Sequence, residues 1–210
     1  IVDRISYGFQ VPDRSVGRDK NGDWALLDSP TPGKENKLPA ILASPSSLVI
    51  NEWMANGRDD DWIELHNPQP DPVRMDGLYL TDDLSSIGRA QFEIPQLNYI
   101  AAGGFVKWIA DANLAKGGDH VNFSLASLGE PIALYSRTKS LVDKREISIT
   151  TPGESEGRLP DGATRITKFP STPTPGKPNY LPVENVVINE VLTHTDPPFE
   201  DAIELQNLSD

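Results

Sequence analysis

Short runs of apolar residues, separated by turn-forming residues, recur along the whole chain. Residues 47–54 form a β-rich run, an Asn-Gly pair and three aspartates follow, and residues 62–66 alternate between apolar and polar side chains. Two such runs around a turn are typical of a β-hairpin. The alternation also predicts that Glu52 and Glu64 face each other across this hairpin.

The rest of the central region continues in the same manner. Further strand-like runs occur at residues 78–80, 91–94, 105–109, 132–135 and 141–149. Gly, Pro, Asn or Asp separates each run from the next, and the 210 residues include 16 Gly and 19 Pro. Many short strands with frequent turns are typical of a β-sandwich, so we expect an all-β fold with very little helix.

The chain also resembles itself about 140 residues along, which indicates an internal repeat. Three pairs of motifs follow one another in the same order: Val-Ile-Asn-Glu at 49–52 and 187–190, Asp-Trp/Ala-Ile-Glu-Leu at 61–65 and 201–205, and Pro-Thr-Pro-Gly-Lys-x-Asn at 30–36 and 173–179. The proline content of the third pair is typical of extended linkers between units.

This repeat divides the chain into one complete unit and two partial ones. We expect residues 47–182 to be the complete unit, residues 1–39 the end of a preceding unit, residues 40–46 a linker, and residues 183–210 the beginning of a following unit. Partial units leave apolar residues and strand edges uncovered, and such edges accept further strands. We therefore expect the two ends to pair with each other or with a neighbouring chain.

Seven motifs in order resemble those of the lamin-tail domain family, and the resemblance covers residues 47–182 and both flanking fragments. They are Val-Ile-Asn-Glu at 49–52, Trp-Ile-Glu-Leu-x-Asn at 62–67, Leu-Tyr-Leu-Thr-Asp-Asp at 78–83, a Gly-Gly turn at 103–104, Phe-Ser-Leu at 123–125 leading to Gly-Glu at 129–130, Gly-Arg-Leu-Pro-Asp-Gly at 157–162, and the closing Pro-Thr-Pro-Gly-x-x-Asn. The resemblance implies an immunoglobulin-like β-sandwich without catalytic activity.

More narrowly, the sequence is similar to the bacterial branch of this family, whose domains occur in tandem on large exported or surface proteins. This similarity implies an extracellular or cell-surface location and a role in adhesion, spacing or binding. The expected partner is a protein or a glycan surface ligand. The alternative function is a carbohydrate-binding accessory module of a secreted hydrolase.

Charge and composition remove several other classes of function. With 19 Lys and Arg against 31 Asp and Glu, the net charge is −12, which repels nucleic acid and anionic lipid. The apolar runs are too short for membrane insertion. The chain has no cysteine, so disulfides, thiolate metal sites and a cysteine nucleophile are excluded.

Two sets of residues are candidates for ligand binding. Aromatic side chains in strands usually pack in the core, but Trp53 and Trp62 lie at odd spacings from the core positions expected at Ile50 and Ile63. An exposed face for sugar or protein contacts is therefore the alternative interpretation there. The acidic turns are expected to be solvated, without a cofactor, but they also supply hard oxygen ligands, so calcium binding is the alternative. The candidate calcium ligands are Asp59, Asp60, Asp61, Asp82 and Asp83.

Catalytic interpretations are weaker. Glu52 and Glu64 form a carboxylate pair, the arrangement that glycosidases use, but a glutamate bonded to backbone groups is the commoner reason for such a pair. The three histidines are scattered, and no Gly-x-Ser-x-Gly motif is present. The sequence therefore predicts a structural or interaction module, with hydrolysis as a third possibility.

Overall fold

A computed structural model describes residues 2–209, and they fold almost entirely as β-strands and turns. The strands are, in chain order, β1 Val16–Arg18, β2 Trp24–Leu26, β3 Val49–Met54, β4 Trp62–His66, β5 Val73–Arg74, β6 Tyr79–Thr81, β7 Phe92–Glu93, β8 Tyr99–Ile100, β9 Phe105–Ile109, β10 Pro131–Tyr135, β11 Leu141–Glu146, β12 Ser155–Arg158, β13 Ile166–Phe169, β14 Val186–Leu192 and β15 Ala202–Asn207. Single turns of 3-10 helix occupy Pro45–Ser47 and Gly88–Ala90.

Two antiparallel sheets form the central sandwich. One has the strand order β13-β12-β3-β4-β9, and the other has the order β11-β10-β6-β7. Strands β5 and β8 form a small separate pair. The predicted hairpin of β3 and β4 and the predicted all-β, immunoglobulin-like sandwich are confirmed.

The hydrophobic core lies between these two sheets. Ile50, Leu65 and Trp108 of the five-stranded sheet are fully buried, as are Leu80 and Leu134 of the other sheet. All five belong to one contiguous cluster of apolar side chains. Burial of apolar side chains on both inner faces is the main force that holds such a sandwich together.

The first forty residues belong to the same compact unit as the sandwich, which extends to residue 180. The β1–β2 hairpin buries Leu26 in a second apolar cluster that contains Leu97 and Tyr99. The N–H of Tyr99 donates to the Phe9 carbonyl at 2.9 Å, which adds a backbone contact. The unit boundaries inferred from the repeat at residues 39, 46 and 182 stay predictions.

A second compact unit begins at residue 181. It consists of the hairpin of β14 and β15, whose residues are all exposed. Association of the two chain ends, with each other or with a neighbouring chain, stays a prediction. Within residues 2–209, no helix is long and apolar enough to cross a membrane.

Candidate functional site: a buried glutamate clasp

A β-bulge in β3 determines where the two glutamates lie. Ile50 is opposite Leu65, but the next pair is Glu52 with Glu64, so Asn51 is the extra residue of the bulge. The prediction that the glutamates face each other across the hairpin is confirmed. Both side chains are completely buried, which is rare for a carboxyl group and requires hydrogen-bond partners.

Glu52 receives its partners from two distant parts of the chain. Ser155 Oγ, on β12, donates to Glu52 Oε1 at 2.5 Å. The N–H of Thr174 lies 3.1 and 3.2 Å from the two carboxyl oxygens, and Thr174 Oγ1 lies 3.0 Å from Oε2. Burial raises the pKa of Glu52, although these contacts oppose the effect.

Glu64 makes the matching contact two residues further along the same segment. The N–H of Gly176 donates to Glu64 Oε2 at 2.6 Å, and the amide of Asn51 donates to Oε1 at 3.3 Å. Burial, aided by the nearby carboxyl groups of Glu52 and Asp161 and opposed by the Gly176 and Asn51 hydrogen bonds, raises the pKa of Glu64 from 4.5 to about 8. We call Glu52, Glu64, Thr174 and Gly176 the glutamate clasp.

The Thr174 hydroxyl lies within hydrogen-bond distance of both Glu52 and Asn179. Asn179 Nδ2 donates to the Arg158 carbonyl at 2.9 Å, which directs Asn179 Oδ1 towards the Thr174 hydroxyl at 2.6 Å. Since a hydroxyl carries a single proton, Thr174 cannot donate to both Asn179 and Glu52. The Ser155 hydroxyl and the Thr174 N–H donate to Glu52 in either case.

Polar contacts around the clasp tie it to the turn after β12. Asn51 Nδ2 donates to Asp161 Oδ1 at 2.9 Å, and the N–H of Gly162 donates back to Asn51 Oδ1 at 3.0 Å. The buried Arg158 donates to the Ile50 carbonyl at 2.8 Å and to Asp143 at 2.7 Å. These hydrogen bonds connect the polar groups of the bulge with those of the turn. The clasp and the turn therefore belong to one continuous hydrogen-bond network.

The second Pro-Thr-Pro-Gly segment is therefore folded into the domain, which corrects its interpretation as an extended linker. Thr174 and Asn179 are both buried. Gly157 allows the close approach, because a Cβ atom there would lie 2.6 Å from the Asn51 carbonyl oxygen and 2.8 Å from Asn179 Nδ2. The two buried glutamates replace water as partners for the backbone N–H groups of this segment.

The hydrogen bonds made by the closing Pro-Thr-Pro-Gly segment and by Arg158 have counterparts near the N-terminus. Thr31 Oγ1 lies 3.4 Å from Asn36 Oδ1, and Asn36 Nδ2 donates to the Arg18 carbonyl at 2.9 Å. Arg18 in turn donates to the Gly22 carbonyl at 2.8 Å and to Asp3 at 3.4 Å. Arg158 makes the same two types of contact, with Gly162 and Asp143.

The glutamate pair of the β3–β4 hairpin has a counterpart in the C-terminal hairpin of β14 and β15. Glu190 is opposite Glu204, with a register shift between Ile188 and Glu190 that matches the bulge of β3. Asn189 donates to Glu204, as Asn51 does to Glu64. Each end of the chain thus holds one half of the contacts that the central unit holds complete.

The alternative interpretation, in which Trp53 and Trp62 form an exposed face, is wrong. Trp53 is only 1% exposed and Trp62 only 6% exposed. The bulge at Asn51 shifts the alternation by one residue, so Trp53 pairs with Ile63 on the core face, and its Nε1 donates to Glu156 at 3.1 Å. A buried indole offers no face on which a sugar can stack.

The candidate calcium ligands lie in two turns. Asp61 Oδ1 accepts the N–H of Gly57 at 2.8 Å, and Asp83 accepts the N–H of Ser85 at 2.8 Å. Asp61 and Asp82 both raise the pKa of Glu130, after the larger effect of its burial. Asp59 and Asp60 are exposed.

Across residues 2–209, no three His, Asp or Glu side chains are arranged to hold a metal ion. Whether calcium binds at the acidic turns is not tested by this arrangement, so calcium stays a hypothesis.

Comparison with known proteins identifies the class. The family model of the lamin tail domain matches residues 42–148, and the chain belongs to this family. Its domains are immunoglobulin-like modules that are generally non-enzymatic. No curated protein matches the chain. The matched region ends before the Pro-Thr-Pro-Gly segment, so the clasp joins the matched domain to the residues that follow it.

The geometry of the clasp suits binding of the backbone of the closing segment, and it does not suit catalysis by the two glutamates. A catalytic carboxyl must reach the reacting atoms, whereas both glutamates here are sealed from solvent and occupied by donors of the same chain. Sequence reasoning found the glutamate pair but missed its partners. The signal was available, since Val-Ile-Asn-Glu, Ile-Glu-Leu and Pro-Thr-Pro-Gly all recur in the repeat.

Proposed function

We propose that this chain is a non-catalytic structural and interaction module of a tandem-repeat bacterial protein that is exported to the cell surface. The observation that carries the proposal is the glutamate clasp, in which Glu52 and Glu64 fasten the closing Pro-Thr-Pro-Gly segment to its own sandwich. A domain that fastens the segment leading to the next domain is suited to spacing and adhesion. Membership of the lamin tail family supports this role.

Tandem organisation is supported by the ends of the chain. Asp3, Arg18 and Asn36 repeat contacts of the central unit, and Glu190 and Glu204 repeat the glutamate pair. The net charge of −12 also suits a soluble surface protein that does not bind nucleic acid. Its partner would be a protein or glycan surface ligand.

The role is tested by locating the protein and by assaying it. An antibody raised against the full chain should detect the parent protein in the surface fraction of intact cells, and protease added outside should remove the signal. The purified chain should hydrolyse no glycan or ester substrate. A protease-resistant cytoplasmic signal, or hydrolysis that Glu52→Gln abolishes while Glu93→Gln does not, would contradict the proposal.

A further inference from the structure

Residues 8–26 pack against residues 97–101 of the central sandwich, within one compact unit. By the internal repeat, residues 8–26 belong to the end of a preceding unit, whereas the sandwich is the unit that follows it. We infer that this contact is a fixed interface between consecutive units of the parent protein. The inference rests on the proposed tandem organisation and deepens it, because fixed interfaces make the array a stiff spacer whose partner surface is the neighbouring unit.

Backbone hydrogen bonds fix one segment of this interface. The N–H of Gly8 donates to the Leu97 carbonyl at 3.3 Å, and the N–H of Tyr99 donates to the Phe9 carbonyl at 2.9 Å. Asn98 Oδ1 accepts the N–H of Phe9 at 2.8 Å. Gly8 allows this approach, because a Cβ atom there would clash with the Asn98 side chain. The two segments therefore meet in one register.

Apolar side chains cover the same region. The ring of Phe9 meets the ring of Trp108 edge to face, with the ring centroids 5.0 Å apart, and Trp108 is a fully buried member of the sandwich core. Leu26 is only 1% exposed and lies in one cluster with Leu97 and Tyr99. Units joined by a small polar contact move against each other, whereas an apolar contact that continues the core restricts such motion.

A complete preceding unit would leave the position of Phe9 available for this contact. The turns at residues 11–14 and 151–154 correspond, because in each the backbone N–H of the fourth residue donates to the carbonyl of the first. Phe9 precedes its turn by two residues and therefore corresponds to Ile149. Ile149 is 65% exposed, so this position faces outwards in a complete unit.

The strand register shows the same for Leu26. Val16 is opposite Leu26 in the β1–β2 pair, and its counterpart Glu156 is opposite Lys168 in the β12–β13 pair. Leu26 therefore corresponds to Lys168, which is exposed. The apolar residues of the interface thus occupy outward-facing positions of a unit, and the contact is compatible with a complete preceding unit.

The linker between the two units is held on both sides. The N–H of Ala40 donates to the Leu26 carbonyl at 2.8 Å, and the N–H of Ala43 donates to the Pro72 carbonyl at 2.8 Å. Ala40 is also buried in the same cluster as Leu26. A short linker that is bonded to both units leaves little freedom for one unit to rotate against the next.

Hydrogen exchange of the full chain tests whether the interface is fixed. The amides of Gly8 and Tyr99 should exchange at least about a hundredfold more slowly than those of an unstructured peptide. Phe9→Ala should speed the exchange of both amides at least about tenfold and leave the amides of β10 unchanged. The control is Tyr7→Ala, at an exposed position of the same segment, which should change none of these rates. Exchange of both amides at the unstructured rate in the parent chain would overturn the inference.

An extended chain tests whether a complete preceding unit keeps the interface. Because residue 141 corresponds to residue 1, a copy of residues 47–140 placed ahead of residue 1 supplies the strands of a complete unit. The amides of Gly8 and Tyr99 should exchange within about threefold of their rates in the original chain. Loss of their protection, in a chain whose added copy is folded by circular dichroism, would overturn the inference. The test on the original chain decides independently of whether the added copy folds.

The two proposals fail on different results. A mobile interface leaves the proposed surface role standing, because a flexible array can also act as a spacer. That role fails instead on cellular location or on carboxylate-dependent hydrolysis.

Discussion

The buried carboxyl of Glu64 should make the stability of the sandwich fall as pH rises. Its pKa is 4.5 in the unfolded chain and about 8 in the folded protein, so the folded state binds more protons between these values. Unfolding free energy therefore decreases from pH 4.5 to pH 8 and is independent of this group outside that range. The difference of about 3.5 pH units, at about 1.4 kcal/mol each, sets a ceiling of about 5 kcal/mol.

Replacement of Glu64 by glutamine should remove this dependence. Glu64→Gln keeps an oxygen for the Gly176 N–H but cannot ionise. Relative to the parent protein, the variant should gain stability progressively from pH 4.5 to pH 8, up to about 5 kcal/mol. Glu52 shifts in the same direction, so a smaller slope should remain in the variant.

Urea unfolding followed by tryptophan fluorescence is a suitable assay. All four tryptophans lie in the unit that ends at residue 180, so fluorescence reports that unit alone. Glu93→Gln, which replaces an exposed carboxyl, is the matched control and should keep the slope of the parent protein. If Glu64→Gln and the parent protein show the same slope between pH 4.5 and pH 8, Glu64 is ionised in the folded state and the reasoning is wrong.

Three further outcomes are expected in the same unfolding assay. Thr174→Val removes the hydroxyl between Glu52 and Asn179 and should lower the free energy of unfolding by about 1–3 kcal/mol. The control is Ser171→Ala at an exposed position. A loss for Thr174→Val no larger than that of the control would argue against the clasp. Trp53→Ala should cost about 3–5 kcal/mol because its indole is buried, against less than about 0.5 kcal/mol for the exposed Leu128→Ala. Chelation by EDTA should leave the midpoint unchanged, and a calcium-dependent midpoint that Asp61→Asn removes would refute this.

The strands could be predicted because their signals are local. The β3–β4 hairpin, with its Asn-Gly turn and alternating returning strand, has the predicted pairing of Glu52 with Glu64. The face of Trp53 could not be predicted by alternation alone. A single bulged residue, Asn51, exchanges the inner and outer faces of the strand beyond it, and nothing in the local composition marks its position.

The clasp could not be predicted from spacing, because its two sides are more than one hundred residues apart. Glu52 and Thr174 are separated by 122 positions, and Glu64 and Gly176 by 112. Local patterns indicate strands and turns, but they do not say which distant backbone groups a buried side chain meets. The proline-rich composition of residues 173–179 even favoured the opposite interpretation, an extended linker.

Physical chemistry nevertheless explains why these distant motifs recur together. A carboxyl group that loses water without gaining donors is costly, so a glutamate in the position of Glu52 or Glu64 is tolerable only where another segment brings N–H groups to it. The Pro-Thr-Pro-Gly segment has the same need in reverse, since the N–H of the buried Thr174 would otherwise have no acceptor. Each half of the clasp is thus stable in a dry environment only with the other.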